Sequence, residues 1–452
     1  MHRETRHTNM PPTLIRLECG VNNYNWGKIG SGSVAALFAA ATPSDDFTIQ
    51  EDLPYSELWM GTHLSNPSKD LHSKRTLLDI IKNNQALISA EIYSKFGAKL
   101  PFLFKVISIE KALSIQAHPN KKLAKILHKK DPNNYPDDNH KPEMTIALTP
   151  FEGLCGFRPL CEISHFLSTV PSLKSLIGTI QAEEFQAATG NNELQDTPEK
   201  KYMNKKSLQK VFQALMNAKP EDVELKSKEL VKDALESGKN FAGGIKGDFS
   251  NTPQEMAELV IRLNDQFPGD IGLFVLFFLN YVKLDVGEAM FLKANDIHAY
   301  LSGDIIECMA ASDNVVRAGF TPKFKDVKTL TEMLTYSYAP IEEQKLKPVD
   351  YPYVILNSTA YSSGSSSVLY DASIEEFSVV KTELKRKGSK ATFERIAGPS
   401  IIICTSGSGK ITVGSKSEEV RAGYVFFLAA FSDIVFESNG QEYTTFKAFC
   451  EA

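Results

Sequence analysis

Gly287-Glu288-Ala289-Met290-Phe291-Leu292 starts with a glycine suited to a turn and continues as a short apolar strand. The pattern recurs 136 residues later as Gly423-Tyr424-Val425-Phe426-Phe427-Leu428. Repeated hairpins of this kind are typical of a jelly roll, so the repeat predicts two related β-barrels. The residue that matches His298 in the second copy is Ile434, and we therefore expect a polar site in the first barrel alone.

The residue pattern changes twice along the chain. Short apolar runs punctuated by glycine and proline, typical of strands, precede Cys161 and return after Gly269. Between them apolar residues recur at helical spacing, and Thr252-Pro253-Gln254-Glu255 is a capping box that begins a helix. This pattern predicts a mainly β protein with an α insertion. The predicted domains are a first β domain of residues 14–160 with 269–340, a helical insertion of 161–268 and a second β domain of 341–452.

Two polar stretches are expected to lack regular structure. Residues 1–13 have no apolar core of a signal peptide and are expected to form a disordered tail. Residues 189–206, within the helical insertion, are expected to be a loop. The longest apolar run, Ile271 to Val282, is too short to span a bilayer, so we expect no membrane segment.

Composition limits the function classes. The chain has 452 residues, a formal net charge of −5 and 42% hydrophobic residues, as globular proteins commonly do. A general nucleic-acid binder would be basic over much of its surface, so we expect no nucleic-acid partner. The six cysteines contain no CxxC pair, which indicates free thiols in a reducing compartment. We therefore expect a cytoplasmic protein.

Three short segments place polar side chains two residues apart, and on a strand such residues share a face. Ser114-Ile115-Gln116-Ala117-His118 directs its first, third and fifth side chains to one side. Lys141-Pro142-Glu143 pairs a cation with a carboxylate, and His298-Ala299-Tyr300 pairs an imidazole with a phenol. Burying so many polar groups is costly unless they share a metal, a substrate or each other.

A set of nitrogen and oxygen ligands is formed by Gln116, His118, Glu143 and His298. One carboxylate and two neutral imidazoles suit zinc, with a position open for water or a substrate oxygen. A glutamine carbonyl oxygen is an unusual zinc ligand, so the chemistry alone leaves iron and manganese open. Each histidine alone would more often be a packed or surface residue, and it is the set that predicts a metal site.

Positive charge gathers around this candidate site in an otherwise acidic protein. Lys141 lies within it, Arg317 follows the turn at Asp313-Asn314, and Lys323 comes soon after. Such cations attract an anionic substrate and bind phosphate oxygens directly. For Arg317 the residues alone leave two other readings open, which are a surface position and a buried ion pair with Glu307.

Seven motifs resemble those of the type I mannose-6-phosphate isomerase family of the cupin superfamily. They are YNWG (24–27), ELWMGTH (57–63), PFLFK (101–105), SIQAHPNK (114–121), HKPE (140–143), FEGLCGF (151–157) and ECMAASDNVVRAG (307–319). The resemblance runs from about residue 14 to 340 and is looser beyond. It implies a catalytic cupin domain, an inserted helical domain and a C-terminal jelly roll without a metal site.

By motif, the resemblance implies one Zn²⁺ per chain on Gln116, His118, Glu143 and His298, with Arg317 as the active-site arginine. The implied reaction interconverts D-mannose 6-phosphate and D-fructose 6-phosphate through an enediol. The general base stays open between Glu307, Lys141 and a metal-bound water. The substrate-binding candidates are Trp26 and Tyr300, with packing as the alternative, and Ser114 and Lys323.

Two other functions stay open, a metal-dependent cupin oxygenase and a non-catalytic sugar-binding cupin. The oxygenase signature is usually richer in histidine, and retention of the ligand set with Arg317 speaks against a degenerate binding protein. The resemblance implies that the enzyme feeds mannose into GDP-mannose synthesis and glycosylation. Its expected partner is a small sugar phosphate, and we expect a monomer.

Overall fold

The strand and helix patterns of the sequence correspond to separate parts of the molecule. A computed structural model describes residues 13–42, 47–189, 197–244 and 249–451. The tail predicted for residues 1–13 lies outside the described residues apart from Thr13. None of the helices in these ranges is both long and apolar enough to cross a membrane.

The strands are β1 Leu14–Glu18, β2 Gly20–Asn22, β3 Lys28–Ile29, β4 Pro54–Tyr55, β5 Glu57–Met60, β6 Lys69–Asp70, β7 Phe102–Ile109, β8 Ile115–Ala117, β9 Glu143–Ala147, β10 Phe151–Phe157, β11 Leu279–Leu284, β12 Ala289–Leu292, β13 His298–Ala310, β14 Val316–Gly319, β15 Lys345–Leu346, β16 Val349–Asp350, β17 Val354–Leu356, β18 Ser366–Tyr370, β19 Ser378–Leu384, β20 Lys390–Phe393, β21 Ser400–Val413, β22 Lys416–Arg421, β23 Val425–Leu428 and β24 Ile434–Phe449.

The α-helices are α1 Val34–Ala40, α2 Leu77–Asn83, α3 Ala90–Phe96, α4 Lys121–Lys130, α5 Leu160–Thr169, α6 Pro171–Ile177, α7 Thr179–Thr189, α8 Pro198–Met216, α9 Pro220–Ser237, α10 Pro253–Gln266, α11 Gly272–Val275, α12 Val327–Met333 and α13 Ser358–Ser362. Short 3₁₀ turns lie at Gly30–Gly32, Gln85–Leu87, Gly238–Gly243 and Ile341–Glu343.

Eleven strands form the first sheet, in the order β15-β12-β9-β13-β7-β5-β2, with β8, β10, β11 and β14 attached through β13 and its neighbours. The long strand β13 changes partners along its length. Residues 303–310 pair with β7 and β9, whereas residues 298–302 pair with β8 and β10. Gly303 marks the change, with a φ of +110° and no room for a Cβ beside Pro150 O and Phe151. The first sheet therefore depends on one shared strand.

Eleven strands also form the second sheet, in the order β16-β18-β19-β24-β21-β23-β1-β6, with β17, β20 and β22 attached. The repeat predicted from the sequence is present. Gly287 precedes β12 and Gly423 precedes β23, both at positive φ, and the next strands begin at His298 and Ile434. Ile434 is buried in an apolar cluster where the first sheet has an imidazole. The predicted fold class, mainly β with a helical insertion, is confirmed.

Two short strands pair across the limits drawn from the sequence. β1 lies near the N-terminus but pairs with β23 of the second sheet. β15 follows residue 341 but pairs with β12 of the first sheet. The first sheet thus extends past residue 340 and the second includes residues near the N-terminus. The domain limits themselves remain a prediction.

The helical insertion contains α5 to α10, and its capping box at Thr252 and Glu255 is formed as predicted. The loop predicted for residues 189–206 is wrong at Thr189, which ends α7, and from residue 198 onward, where α8 begins; residues 190–196 lie outside the described residues. Thr197 accepts a hydrogen bond from the backbone N–H of Lys200, and Pro198 occupies the first helical position. The capped polar turns extend a helix whose later residues, including Phe212, are buried.

The two sheets share one apolar cluster. It includes Leu58, Phe104 and Met144 from the first sheet, and Val379 and Phe446 from the second. Apolar surface buried between the sheets contributes roughly 25 cal/mol per Å² to stability. The second sheet is therefore part of the support of the first.

An unusual lysine lies in the second sheet. Lys447 is 2% exposed, and its Nζ lies 4.6 Å from the ring centre of Phe393, 5.2 Å from that of Phe449 and 5.4 Å from that of Tyr351. It forms an ion pair with none of the described carboxylates. Burial lowers the pKa of Lys447 to about 8. The three rings stabilise the ammonium only in part.

Replacing this lysine by a hydrophobic residue of similar length should stabilise the protein. We expect Lys447→Met to raise the free energy of unfolding at pH 7 by about 1–3 kcal/mol, because an unpaired ammonium is no longer buried. The wild type is less stable than this variant by the full amount below pH 8, where Lys447 is charged in both the folded and the unfolded protein. The difference in free energy of unfolding disappears as pH approaches about 10.4, where the unfolded lysine also loses its proton. Urea unfolding between pH 7 and 10 measures this, with exposed Lys387→Met as control. A less stable Lys447→Met variant would contradict the argument.

Candidate metal centre and active site

Three strands bring three ligand side chains to one point. Glu143 begins β9, His298 begins β13 and His118 follows β8. Glu143 Oε1 lies 3.3 Å from His118 Nε2, and Glu143 Oε2 lies 3.2 Å from His298 Nε2. All three side chains are buried, and their ligand atoms lie within 4.8 Å of one another. The structure thus brings together three of the four predicted metal ligands.

The two imidazoles are oriented by backbone carbonyl groups. His118 Nδ1 lies 2.7 Å from Asn314 O, and His298 Nδ1 lies 3.1 Å from Asp296 O. Since a carbonyl oxygen only accepts, each Nδ1 carries a proton, and in the neutral ring each Nε2 then carries the lone pair. Burial lowers the pKa of His118 to about 4, which keeps this ring neutral.

The Nε2 atoms of both rings face the carboxylate of Glu143. Both Nε2 atoms are buried and have no aligned hydrogen-bond partner, although Glu143 lies within 3.3 Å of each. Burial alone would raise the pKa of Glu143, but the ammonium of Lys141, 3.0 Å away, and the two histidines together outweigh it and lower that pKa well below its usual range. Two lone pairs and an anion facing one another are stable when a cation lies between them, so these residues fit a divalent metal.

Gln116, the fourth predicted ligand, lies on the same side of the sheet. It is the direct partner of His298 across β8 and β13, and of Arg317 across β8 and β14. Residues paired in this way project to one face. Gln116 Oε1 accepts a hydrogen bond of 3.1 Å from the Ser114 hydroxyl, which orients its amide group.

Arg317 is a half-buried cation without a carboxylate partner among the described residues. Burial lowers its pKa, and the titratable group that opposes this shift is Tyr135. The ion pair with Glu307 left open by the sequence is not formed, because Glu307 pairs with Lys105 at 3.1 Å. Lys323 lies on the exposed loop after β14. Arg317 therefore offers its positive charge to a ligand.

A buried chain of charges lies behind the metal ligands, and sequence reasoning overlooked part of it. Lys105 lies between Glu307 at 3.1 Å and Glu57 at 3.9 Å. Burial alone would lower the pKa of Lys105, but these two carboxylates outweigh it and raise that pKa. Burial raises the pKa of Glu307, and Lys105 opposes this. The available signal was the single lysine that ends the otherwise apolar run PFLFK.

Two aromatic residues predicted to line a sugar pocket occupy different environments. Trp26 is half-buried and stacks on Tyr24 with ring centres 5.8 Å apart. Tyr300 is only 3% exposed, and its hydroxyl donates 2.9 Å to Glu307 and lies 3.3 Å from Glu143. Tyr300 thus contacts the buried carboxylates, whereas Trp26 keeps a surface that a ligand can reach.

Comparison with known proteins identifies the family. Three models of phosphomannose isomerase type I match this chain, the catalytic domain over residues 14–160, the helical insertion domain over 176–279 and the C-terminal domain over 367–416. The chain belongs to the type I phosphomannose isomerase family. A mannose-6-phosphate isomerase of Aspergillus fumigatus is 63% identical over 98% of both chains. That of Saccharomyces cerevisiae is 48% identical over 98% of this chain and all of its own.

Solved structures of phosphomannose isomerases share this architecture. A mannose 6-phosphate isomerase bound with zinc and yttrium is 26% identical, with a TM-score of 0.76 over 98% of this chain and all of the other. The apo form from Salmonella typhimurium gives the same identity, TM-score and coverage. The similarity therefore includes the helical insertion and both sheets.

A second feature that sequence reasoning overlooked lies beside His118, a predicted metal ligand. The carboxylate of Asp137 accepts hydrogen bonds from the Ser312 hydroxyl at 2.8 Å and from the backbone N–H of Asp313 at 2.7 Å. Asn314 Nδ2 donates to Asp137 O at 2.7 Å, and Asn314 O in turn accepts from His118. Asp137 thus fixes the loop that orients the His118 ring.

Removing the Asp137 carboxylate should weaken metal binding without touching a ligand. We expect Asp137→Ala to lower divalent-metal affinity by about 10- to 100-fold, as loss of a group that orients a ligand commonly does. Titration against a chromophoric chelator measures the affinity. The exposed neighbour Asp138 provides the control, because Asp138→Ala should leave the metal affinity unchanged. Equal affinities in both variants would show that the loop keeps its shape without Asp137.

Proposed function

We propose that this chain interconverts D-mannose 6-phosphate and D-fructose 6-phosphate, with one zinc ion held by Gln116, His118, Glu143 and His298. The observation that carries the proposal is the buried pair of imidazole nitrogens facing a carboxylate, in a member of this isomerase family. A relative of known structure was solved with zinc. When bound, the metal supplies a Lewis acid for the negative charge that develops on the sugar oxygens.

The anionic part of the substrate is matched by Arg317. Its guanidinium group is half-buried and unpaired among the described residues, and its strand lies beside Gln116. A guanidinium can hold a phosphate through two parallel hydrogen bonds or stabilise the negative charge of an enediolate. Either use places Arg317 against the reacting molecule rather than against the protein.

Isomerisation moves one proton between C2 and C1 of the sugar, and two side chains can hold it. Lys141 lies at the mouth of the ligand cluster, 3.0 Å from Glu143. Glu307 lies deeper, with a pKa raised by burial, as suits a group that accepts and returns a proton. Both stay candidate bases in the proposal.

The remaining predicted substrate contacts divide by exposure. Trp26 and Ser114 are partly exposed, and we propose that they line the sugar site. Lys323 is exposed, and we propose that it contacts the phosphate. Tyr300 acts through Glu307, to which it donates a hydrogen bond, and is better described as a positioning residue.

We also propose that the enzyme works as a cytoplasmic monomer that feeds mannose into GDP-mannose synthesis and glycosylation. All six cysteines are free thiols, which supports a reducing compartment. Gel filtration with light scattering of the purified chain tests the oligomeric state.

Metal removal should abolish the activity reversibly. We expect dialysis against a chelator to stop formation of fructose 6-phosphate from mannose 6-phosphate, and stoichiometric zinc to restore it, because the carbonyl oxygen then regains its Lewis acid. A coupled assay for fructose 6-phosphate is the measurement, with metal content determined on the same sample. Full activity of verified metal-free protein would exclude the proposed role of zinc.

Truncating Arg317 should separate catalysis from metal binding. We expect Arg317→Ala to keep its zinc and its fold but to lose about 10²- to 10³-fold in kcat, as removal of one fixed charge-stabilising donor does elsewhere. Exposed Lys325→Ala provides the control for a simple loss of positive charge nearby. If both variants turn over equally fast, Arg317 has no part in the reaction.

A further inference from the structure

A glutamate of the second sheet reaches into the catalytic part of the chain. Glu376 lies in the connection between β18 and β19 and is only 3% exposed. Its neighbour Phe377 is buried in the cluster shared by both sheets, which also contains Met144, the residue after Glu143. The connection is thus anchored beside a strand that carries a predicted metal ligand.

The Glu376 carboxylate joins two catalytic segments. Its Oε1 lies 2.7 Å from His140 Nε2 and 2.8 Å from Lys121 Nζ. His140 belongs to the segment that continues to Lys141 and Glu143, and Lys121 lies three residues after His118. One oxygen atom therefore holds together the two segments that carry His118 and Glu143, from outside the first sheet.

The energetics favour a firmly held contact. Burial alone would raise the pKa of Glu376, but hydrogen bonds from His140 and Lys121 outweigh it and lower that pKa to about 2. The ionised carboxylate is mostly shielded from water, where charge-assisted hydrogen bonds are stronger than at an exposed site. The neighbouring Glu375, by contrast, forms an exposed ion pair with Lys95 at 3.0 Å.

The segments that Glu376 holds are stiff enough to transmit the constraint. Pro142 fixes one backbone dihedral between His140 and Glu143, and its carbonyl accepts from the backbone N–H of Ala310 in β13. Lys121 begins helix α4, which Asn120 caps through the backbone N–H of Leu123. A shift of either segment therefore reaches a backbone that carries a predicted ligand.

We infer that Glu376 is a positioning residue of the isomerase, through which the second sheet sets the relative placement of the segments carrying His118 and Glu143. This inference rests on the function and the metal site proposed above. It gives the second sheet, which lacks ligands of its own, a defined part in the reaction. Small displacements at an active site are costly, since about 1 Å can reduce turnover by about 100-fold.

The test compares two neighbouring glutamates in the full-length, zinc-loaded enzyme. We expect Glu376→Gln to lower kcat about tenfold and to weaken zinc binding about tenfold, within the range seen when groups supporting metal ligands are removed. KM should stay within about twofold, because Glu376 does not contact the substrate. Glu375→Gln, which loses only an exposed ion pair, should match the wild type in all three measurements.

A double-mutant cycle separates positioning from general stability. His140→Gln removes the same contact from the catalytic side and should reproduce the loss in kcat. Combined with Glu376→Gln, it should cause no further loss, because Glu376→Gln has already removed the charged contact between Glu376 and His140. The inference would be overturned if the kcat losses of the two single variants multiply in the double variant. It would also be overturned if Glu376→Gln has the same kcat and zinc affinity as Glu375→Gln. If Glu376→Gln does not fold, His140→Gln alone tests the positioning role. A His140→Gln enzyme with unchanged kcat and zinc affinity would then overturn the inference.

Failure of this inference differs from failure of the proposed function. A wild-type protein without isomerase activity, or a His118→Ala variant that retains activity, rejects the proposed function itself. An active, zinc-dependent wild type whose Glu376 and Glu375 variants behave alike rejects only the positioning role.

Discussion

One strand holds the site together. β13 pairs with β8 and β10 through its first residues and with β7 and β9 through the rest. It carries His298, Tyr300 and Glu307, so its register determines where a ligand, a phenol and a buried carboxylate lie. A slip of one residue would turn all three to the opposite face. The partners on either side prevent that slip, and Gly303 allows the change of partners at the middle.

This arrangement buries many charged side chains close together, and burying a charge costs free energy. On one side of the Tyr300 hydroxyl Lys141 pairs with Glu143, and on the other side Lys105 lies between Glu307 and Glu57. Each of these buried charges has a partner of opposite sign, without which it would cost several kcal/mol. Arg317 is the exception near the cluster, which is why its charge is available to a substrate.

The second sheet shows how a repeat can lose a site and keep a role. At the position of His298 it has Ile434, which packs in its own core. Its inner face instead completes the apolar cluster that supports β7 and β9 of the first sheet. A protein of this family without its C-terminal part would expose that cluster to water, so the two sheets are expected to fold as one unit.

Much of the fold followed from local pattern, which also singled out the predicted ligands as candidates. Alternation around Gln116 and His118 specifies a strand with polar groups on one face, and the repeated glycine-strand segments specify two related sheets, because side-chain period and turn chemistry are local properties. The first turns of helix α8 are polar, so the sequence alone predicts a loop there. The burial of Phe212 later in the same helix is visible only in the structure. The partners of Lys105, Asp137 and Glu376 lie far along the chain, and only strand register and domain packing bring those atoms within hydrogen-bond distance.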